Sequence, residues 1–162
     1  MEEKFCLSTD TCCDELKSTL KKNRIDFIKM CYISDGEIYE DNFDTLEEYK
    51  YFYDEMKKGK MFSTTGLNPY QLREFFTEIL ERNKKDLIHV SLSSGLSGTC
   101  SVAKSVAEEI NQTPKYKIYV LDSLSATQAQ NALLCYARIL RDRGKTAEEA
   151  MEILEQATKK LR

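Results

Sequence analysis

Residues 86–99 have the sequence DLIHVSLSSGLSGT, and the character of the chain changes in the middle of this stretch. The first half alternates apolar Ile88, Val90 and Leu92 with polar residues, a period of two that predicts a β-strand over 86–92. The second half places four hydroxyl side chains and two glycines within seven residues. The apolar residues that follow recur every three or four positions, which predicts a helix. The stretch therefore predicts a strand, a Ser/Gly loop and the N-terminus of a helix.

A loop of this kind offers a binding site for a small anion. The first amides of a helix lack intrahelical partners, and the helix dipole favours negative charge there. The hydroxyl groups and glycines of Ser93–Thr99 therefore form a candidate site for a phosphate or a carboxylate. The same residue types also form ordinary helix caps, so the loop alone leaves both interpretations open. It contains no Walker motif, no dinucleotide fingerprint and no G-x-S-x-G elbow.

Strands and helices alternate through the rest of the chain. The predicted elements are a strand over 4–8, a helix over 12–22 with Thr11 as N-cap, a strand over 26–33, a hairpin turn at Asp35-Gly36, a helix behind the Thr45 capping box, a loop over 61–68, a helix from Pro69, a connection that ends at Pro114, a strand over 116–121, a helix after Thr127 and a last helix behind the Thr146 capping box. We predict a single α/β domain over 1–162, with three αβα layers, a mostly parallel sheet and a small edge hairpin.

Hydroxyl side chains cluster where the predicted strands end. In parallel sheets, ligands bind beyond the carboxyl ends of the strands, so loops that follow different strands meet at one edge. Clusters follow the strands over 4–8, 86–92 and 116–121, and a further cluster at 63–65 joins them from the side. The sequence therefore predicts a polar crevice at this edge.

Composition excludes several classes of protein. The chain has 162 residues, a net charge of −3 and no concentrated basic face, which argues against a nucleic-acid partner. No apolar run is as long as a membrane span and the N-terminus MEEKF does not resemble a signal peptide, so we expect a cytoplasmic protein. Six cysteines without a C-x-x-C motif and a single histidine predict free thiols and no metal site. We expect no cofactor.

Three of these segments together resemble the DegV family of fatty-acid-binding proteins. The family's SSGLSGT loop is reproduced without change at Ser93–Thr99, and its TTSQPSP loop is similar to Ser63–Pro69. Asp122–Thr127 resembles the family's DS-x-S-A-S segment, and Ser8–Asp14 loosely resembles its opening segment. The chain departs from the family pattern at Thr65-Gly66, where the family has Ser-Gln, and at Ala129 and Asn131, where it has glycines.

The resemblance implies a carrier of long-chain fatty acids, not an enzyme. It implies that the Ser/Thr loops hold the carboxylate and that the acid is presented to a kinase which phosphorylates the carboxyl group. The implied head-group contacts are Thr64, Thr65, Ser94, Gly95, Ser97 and Gly98, with Ser8, Asp10, Ser123 and Ser125 as secondary positions. The match extends over the family's N-terminal domain only, so we expect the C-terminal domain that covers the acyl chain to be absent. We also expect an apolar patch beside the loops, buried by that domain or in a homodimer.

Two other functions stay open from the sequence. One is an enzyme that handles small anions or phosphoryl groups, with His89 or Cys100 in a catalytic role. For both side chains the alternative is a packed position in the core. Asp10, Asp14 and Asp122 could gather at the strand ends around Mg²⁺, although helix caps also explain them. The other function is that of an interaction protein whose lipid site has decayed.

Overall fold

A computed structural model of the chain describes residues 2–112 and 115–161. The predicted end of a connection at Pro114 lies outside these residues. The elements in chain order are β1 (Phe5–Asp10), a 3₁₀ turn (Thr11–Cys13), α1 (Lys17–Lys22), β2 (Ile25–Ile28), β3 (Cys31–Ser34), β4 (Glu37–Glu40), α2 (Leu46–Lys57), β5 (Ser63–Thr65), α3 (Pro69–Asn83), β6 (Asp86–Ser91), α4 (Thr99–Ile110), β7 (Ile118–Asp122), α5 (Thr127–Asp142) and α6 (Ala147–Thr158).

The main sheet has four parallel strands in the order β2-β1-β6-β7. Successive residues of β6 point to opposite faces, as the pleat requires. Leu87 packs with α3 and α4 on one face, whereas Ile88 and Val90 pack with α5 and α6 on the other, and all three are fully buried. Two hydrophobic cores therefore enclose the sheet, which confirms the predicted three-layer α/β architecture.

A second, antiparallel sheet has the order β4-β3-β5. The predicted hairpin turn at Asp35-Gly36 is confirmed, and both residues adopt positive φ (54° and 84°), which suits Asp and Gly. The prediction of one strand over 26–33 is wrong, because the chain leaves the main sheet after Ile28. The Met30 N–H donates to the Thr11 hydroxyl at 3.1 Å instead of to a neighbouring strand. The prediction of a loop over 61–68 is also wrong in part, since β5 pairs with β3.

The first strand is longer than predicted and the first helix is shorter. β1 continues to Asp10, whose carboxylate accepts the Cys12 N–H at 3.1 Å and so caps the 3₁₀ turn. Thr11 is therefore not the N-cap that the sequence predicts. The turn ends at Asp14, which adopts φ 52°, and the regular helix begins only at Lys17. The hydrogen bonds of Asp10 stabilise the 3₁₀ turn, and a continuous helix over 12–22 therefore does not form.

The other helix boundaries follow local capping chemistry. The predicted capping boxes at Thr45 and Thr146 are confirmed, and Asn68 caps α3 with Pro69 as its first residue. The α2 helix behind Thr45 buries none of its side chains fully, although its sequence predicts an apolar face. Within the described ranges, none of the helices has both the length and the apolar character needed to span a bilayer.

Candidate functional site

Strands β1, β6 and β7 are parallel and end at the same edge of the main sheet, the edge at which the sequence predicts a crevice. Ser91 at the end of β6 pairs with Asp122 at the end of β7. The Asp10 carboxylate at the end of β1 accepts the backbone N–H of Leu92 at 2.7 Å. This bond joins the ends of β1 and β6, which are 82 residues apart in sequence, directly before the Ser/Gly loop.

Asp10 is the central polar group of this edge. It is fully buried, and its carboxylate also accepts the Cys12 N–H and the side-chain amide of Gln130, the latter at 3.0 Å. Burial raises the pKa of this carboxyl above its ordinary value, while the hydrogen bonds from Leu92 and Gln130 act to lower it. With no solvent contact and three protein donors, Asp10 fixes the positions of three segments.

Gln130 is a site residue that the sequence reasoning missed. Its side chain is fully buried, and Nε2 lies 3.2 Å from the Thr9 hydroxyl as well as 3.0 Å from Asp10. A polar residue at this place in α5 is unusual, because Leu133, Leu134 and Ala137 continue the same stripe at spacings of three, four and seven. That polar interruption of an apolar stripe is the pattern that could have revealed it.

Most backbone N–H groups of the Ser/Gly loop already donate to other groups of the protein. Ser93 N donates to the Ser125 carbonyl at 2.9 Å, and Gly95 N donates to the Ser93 hydroxyl at 3.1 Å. Leu96 N and Ser97 N both donate to the Ser93 carbonyl, at 3.0 and 3.1 Å. The sequence-based expectation of free, outward-pointing amides is therefore wrong for these positions. Among the hydroxyl side chains of the loop, that of Ser94 is exposed, that of Ser97 is half-buried, and those of Ser93 and Thr99 are buried.

Gly98 is the glycine of the loop whose backbone faces open space. Its φ is −67°, which any residue adopts, and a Cβ built there meets no atom within 4 Å. A Cβ at Gly95, by contrast, would lie 3.4 Å from the Ser93 hydroxyl. Neither the backbone conformation nor a neighbouring atom requires glycine at position 98. Because glycine has no side chain, the surface at the start of α4 has room there for a ligand atom.

Ser94 lies beside an ionised carboxylate. Its backbone N–H donates to Asp122 Oδ1 at 3.1 Å, and Leu124 N donates to the same oxygen at 3.0 Å. Burial acts to raise the pKa of Asp122, but hydrogen bonds from Ser94 and Leu124 outweigh it and keep the pKa below its ordinary value. The Ser94 amide is therefore occupied, and its exposed hydroxyl also hydrogen-bonds to Asp122, so a ligand would compete with this carboxylate for the hydroxyl.

The segment after β5 contacts the start of α4. The N–H of Leu67 lies 3.4 Å from the Thr99 hydroxyl, and the Ser97 hydroxyl donates to that same oxygen at 3.0 Å. Thr99 thus links the predicted loop 63–68 to Ser97. A Cβ at Gly66 would also lie 3.4 Å from Thr99, so the two segments are in close contact.

Thr64 and Thr65 point to opposite faces of the small sheet. Thr64 pairs with Tyr32 and is exposed, whereas Thr65 pairs with Cys31 and is half-buried. Because the pleat alternates side chains, a ligand on either face meets the hydroxyl of one of them.

Three of the secondary positions serve the scaffold. Ser8 is fully buried and its hydroxyl is 2.9 Å from His89 Nδ1, while Asp10 is buried as described above. The buried Ser123 hydroxyl donates to the Ser125 carbonyl at 2.9 Å and accepts the Ser125 N–H at 3.2 Å. These groups hold the strand ends and the turn in place and are not on the surface of this edge.

The side chains considered for catalysis lie in the core. His89 is fully buried, and burial lowers its pKa to about 3. Cys100 is also buried, and burial raises the pKa of its thiol, so the sequence-based idea of an activated Cys100 is wrong. In the part of the chain that the structure describes, no three carboxylate, thiol or imidazole side chains are grouped as metal ligands, so Asp10, Asp14 and Asp122 form no such cluster.

Two exposed apolar side chains lie in the segments that carry the hydroxyl groups. Leu96 at the tip of the Ser/Gly loop is 70% exposed, and Leu124 in the turn after β7 is 38% exposed. The edge therefore combines exposed hydroxyls with exposed apolar groups, a combination suited to a ligand with a polar head and an apolar tail.

Comparison with known proteins identifies relatives of this chain. A family model described as "Uncharacterised protein, DegV family" matches residues 4–162. A DegV domain-containing protein of Clostridium perfringens is 29% identical over 160 residues, which make up 98% of this chain and 55% of that protein.

Solved structures give the same result. A Thermotoga maritima protein, described as revealing a fatty acid binding function, matches with a TM-score of 0.83 and 25% identity over 98% of this chain and 56% of its own. A stearic acid-binding protein from Eubacterium ventriosum matches in fold, with a TM-score of 0.79 and 22% identity over 96% of this chain and 52% of its own. The chain spans about half the length of these relatives. Because the family model covers nearly all of its residues, the chain belongs to the DegV family.

Proposed function

We propose that this chain binds the carboxylate of a long-chain fatty acid without catalysing a reaction. The observation that carries the proposal is the edge formed by the exposed Ser94 and Gly98 and the half-buried Ser97, with Leu96 and Leu124 beside it. Hydroxyl and amide donors form strong, charge-assisted hydrogen bonds to a carboxylate. Two relatives of the same fold are described as binding a fatty acid or stearic acid, which supports this choice of ligand.

This edge provides hydrogen-bond donors for the carboxylate of a fatty acid but little apolar surface to cover its acyl chain. Asp122 places a negative charge next to Ser94, and no cation contacts these hydroxyls among the described residues, so the head group depends on neutral donors here. Burying an acyl chain contributes about 0.8 kcal/mol per methylene, so the tail needs an apolar cover. We propose that the single α/β domain described here supplies the head-group half of the site. A further domain or a second copy of the chain would then cover the tail.

The resemblance to the family extends the proposal to a partner. A carboxylate held at an open sheet edge stays accessible to a second protein. We therefore propose that the bound acid is presented to a kinase that phosphorylates its carboxyl group. His89 and Cys100, the two side chains that the sequence suggests for catalysis, are both buried, which favours a carrier over an enzyme that uses either of them.

Titration with oleate, below the concentration at which it forms micelles, tests the proposed function. We expect saturable binding by wild-type protein and weaker binding of methyl oleate, because the ester lacks the charge that the hydroxyls recognise. Gly98→Ala is expected to weaken oleate binding about tenfold, since the new methyl group fills the space that the ligand would occupy.

Gly36→Ala is the matched control for Gly98→Ala. Its φ of +84° makes alanine strained, so this variant is expected to lose about 1 kcal/mol of stability and to keep its oleate affinity. Equal affinity for oleate and methyl oleate, or an unchanged affinity in Gly98→Ala, would contradict the proposed site.

A second experiment separates the two threonines. Because Thr64 and Thr65 lie on opposite faces of β5, we expect only one of the variants Thr64→Val and Thr65→Val to weaken oleate binding. Valine keeps the shape and removes the hydroxyl, so the loss is expected to be about fivefold to tenfold. Calorimetric titration of both variants measures it. Similar losses in both would show that the strand does not present one face to the ligand.

A further inference from the structure

A groove of about 410 Å³ lies on the small sheet, and its lining residues all come from 32–51. Four aromatic side chains line it, namely Tyr32, Tyr39, Phe43 and Tyr51. The Tyr32 ring stacks on Tyr39 with centroids 5.5 Å apart and on Phe43 with centroids 5.8 Å apart, at interplanar angles of 19° and 20°. Tyr39 is 46% exposed and Tyr51 is 68% exposed, so aromatic surface faces solvent here.

The rim of this groove is acidic. Residues 35–48 contain seven carboxylate side chains and no lysine or arginine. Three of the seven are paired with lysines from other segments: Asp35 with Lys60, Glu40 with Lys29 and Asp41 with Lys17. The remaining charge is uncompensated by ion pairs among residues 2–112 and 115–161. Burial raises the pKa of the neighbouring Tyr49 to about 12, and the carboxylates of Asp41 and Asp14 add to the shift.

The three carboxylates that line the groove differ in whether they have a hydrogen-bond or ion-pair partner in the protein. Glu48 is committed to the capping box with Thr45, and Glu40 pairs with Lys29 at 2.8 Å. Glu47 lines the groove without an ion pair or hydrogen bond to the described part of the chain. An exposed carboxylate beside exposed aromatic rings matches a guanidinium group, which stacks on rings and donates paired hydrogen bonds to a carboxylate. A quaternary ammonium ion would leave the hydrogen-bonding capacity of Glu47 unused.

We propose that this aromatic-acidic groove, defined by Tyr32, Tyr39, Phe43, Tyr51 and Glu47, docks an arginine-bearing basic segment of a partner protein. The occupant is identified by charge complementarity: the acidic rim extends beyond one side chain and therefore fits a segment with several basic residues. The groove is built from the small sheet and α2. It shares no residue with the proposed fatty acid site, but it adjoins that site because Tyr32 pairs with Thr64 of β5.

A titration with a short Gly-Arg repeat peptide, followed by amide and side-chain NMR, tests the proposal. We expect saturable shifts at Tyr39, Glu47 and Tyr51, and about fivefold weaker binding of the matching Gly-Lys peptide, because lysine stacks and pairs less well. Tyr51→Leu and Glu47→Gln are each expected to weaken binding of the arginine peptide about fivefold.

Tyr70→Leu and Glu152→Gln are the matched controls. Tyr70 is 67% exposed and so closely matches Tyr51, while Glu152 is an exposed carboxylate on α6. Both variants are expected to bind the arginine peptide like wild type. The proposal is overturned if the controls weaken binding equally, if the lysine peptide or tetramethylammonium binds as well, or if sedimentation shows a dimer of this chain that Tyr51→Leu dissociates.

Discussion

Replacing Asp10 by alanine is expected to lower the free energy of unfolding by about 4 kcal/mol. The substitution leaves three buried donors without their acceptor: the backbone N–H groups of Cys12 and Leu92 and the side-chain amide of Gln130. Each unsatisfied buried donor costs about 1 to 3 kcal/mol, so the sum exceeds the effect of an ordinary surface change. Urea denaturation followed by circular dichroism measures the loss.

Two further variants show whether the hydrogen bonds are responsible. Asp10→Asn keeps the shape and one acceptor oxygen, so we expect a smaller loss of about 2 kcal/mol. Asp54→Ala removes an exposed carboxylate that pairs with Lys57 at 3.2 Å, and is expected to change stability by less than about 0.5 kcal/mol. If Asp10→Ala costs no more than Asp54→Ala, the three hydrogen bonds do not anchor this edge of the sheet.

Features that depend on neighbouring residues could be predicted from the sequence. The capping boxes at Thr45 and Thr146 join residues three positions apart, and the Asp35-Gly36 turn needs only its own two residues. The parallel sheet also follows from alternating strands and helices. Because that sheet has one carboxyl edge, the clustering of hydroxyl segments there followed as well.

Features that depend on distant residues could not be predicted. The strand predicted over 26–33 divides because Met30 donates to Thr11, nineteen positions away, and enters a second sheet. The helix predicted over 12–22 begins late because Asp10 bonds across to Leu92 and Gln130. In both places a tertiary hydrogen bond outweighs local propensity, which differs among ordinary residues by less than about 1 kcal/mol.

The same distinction explains what was missed in the site. A Ser/Gly loop before a helix predicts free amides, yet the fold of the loop turns the amides of Leu96 and Ser97 back on Ser93. The opposite orientations of Thr64 and Thr65 appear only once 63–65 is known to be a strand. Sequence therefore gave the residue types of the site, and the tertiary structure determines which atoms remain for a ligand.

Lowering the pH from 7 to 5 is expected to reduce the stability of the protein by about 2 kcal/mol through His89 alone. Burial lowers the pKa of His89 from 6.5 to about 3 in the folded protein, while in the unfolded chain it keeps its ordinary pKa. The unfolded state therefore binds a proton that the folded state excludes. The stability contributed by neutral His89 is complete above pH 6.5 and is lost progressively as the pH falls towards 3.

His89 is the only histidine of the chain, so its imidazole signals in NMR spectra are unambiguous. We expect them to stay in the neutral form between pH 7.5 and 5, because the ring is enclosed by Phe75 and Phe76 and its Nδ1 bonds to Ser8. In His89→Gln, whose absolute stability will be lower, the dependence of stability on pH over this range is expected to be flatter. An imidazole that titrates near pH 6.5 in the folded protein would show that the ring reaches solvent. A ring that reaches solvent could exchange protons with a substrate, which would contradict the proposed non-catalytic role of His89.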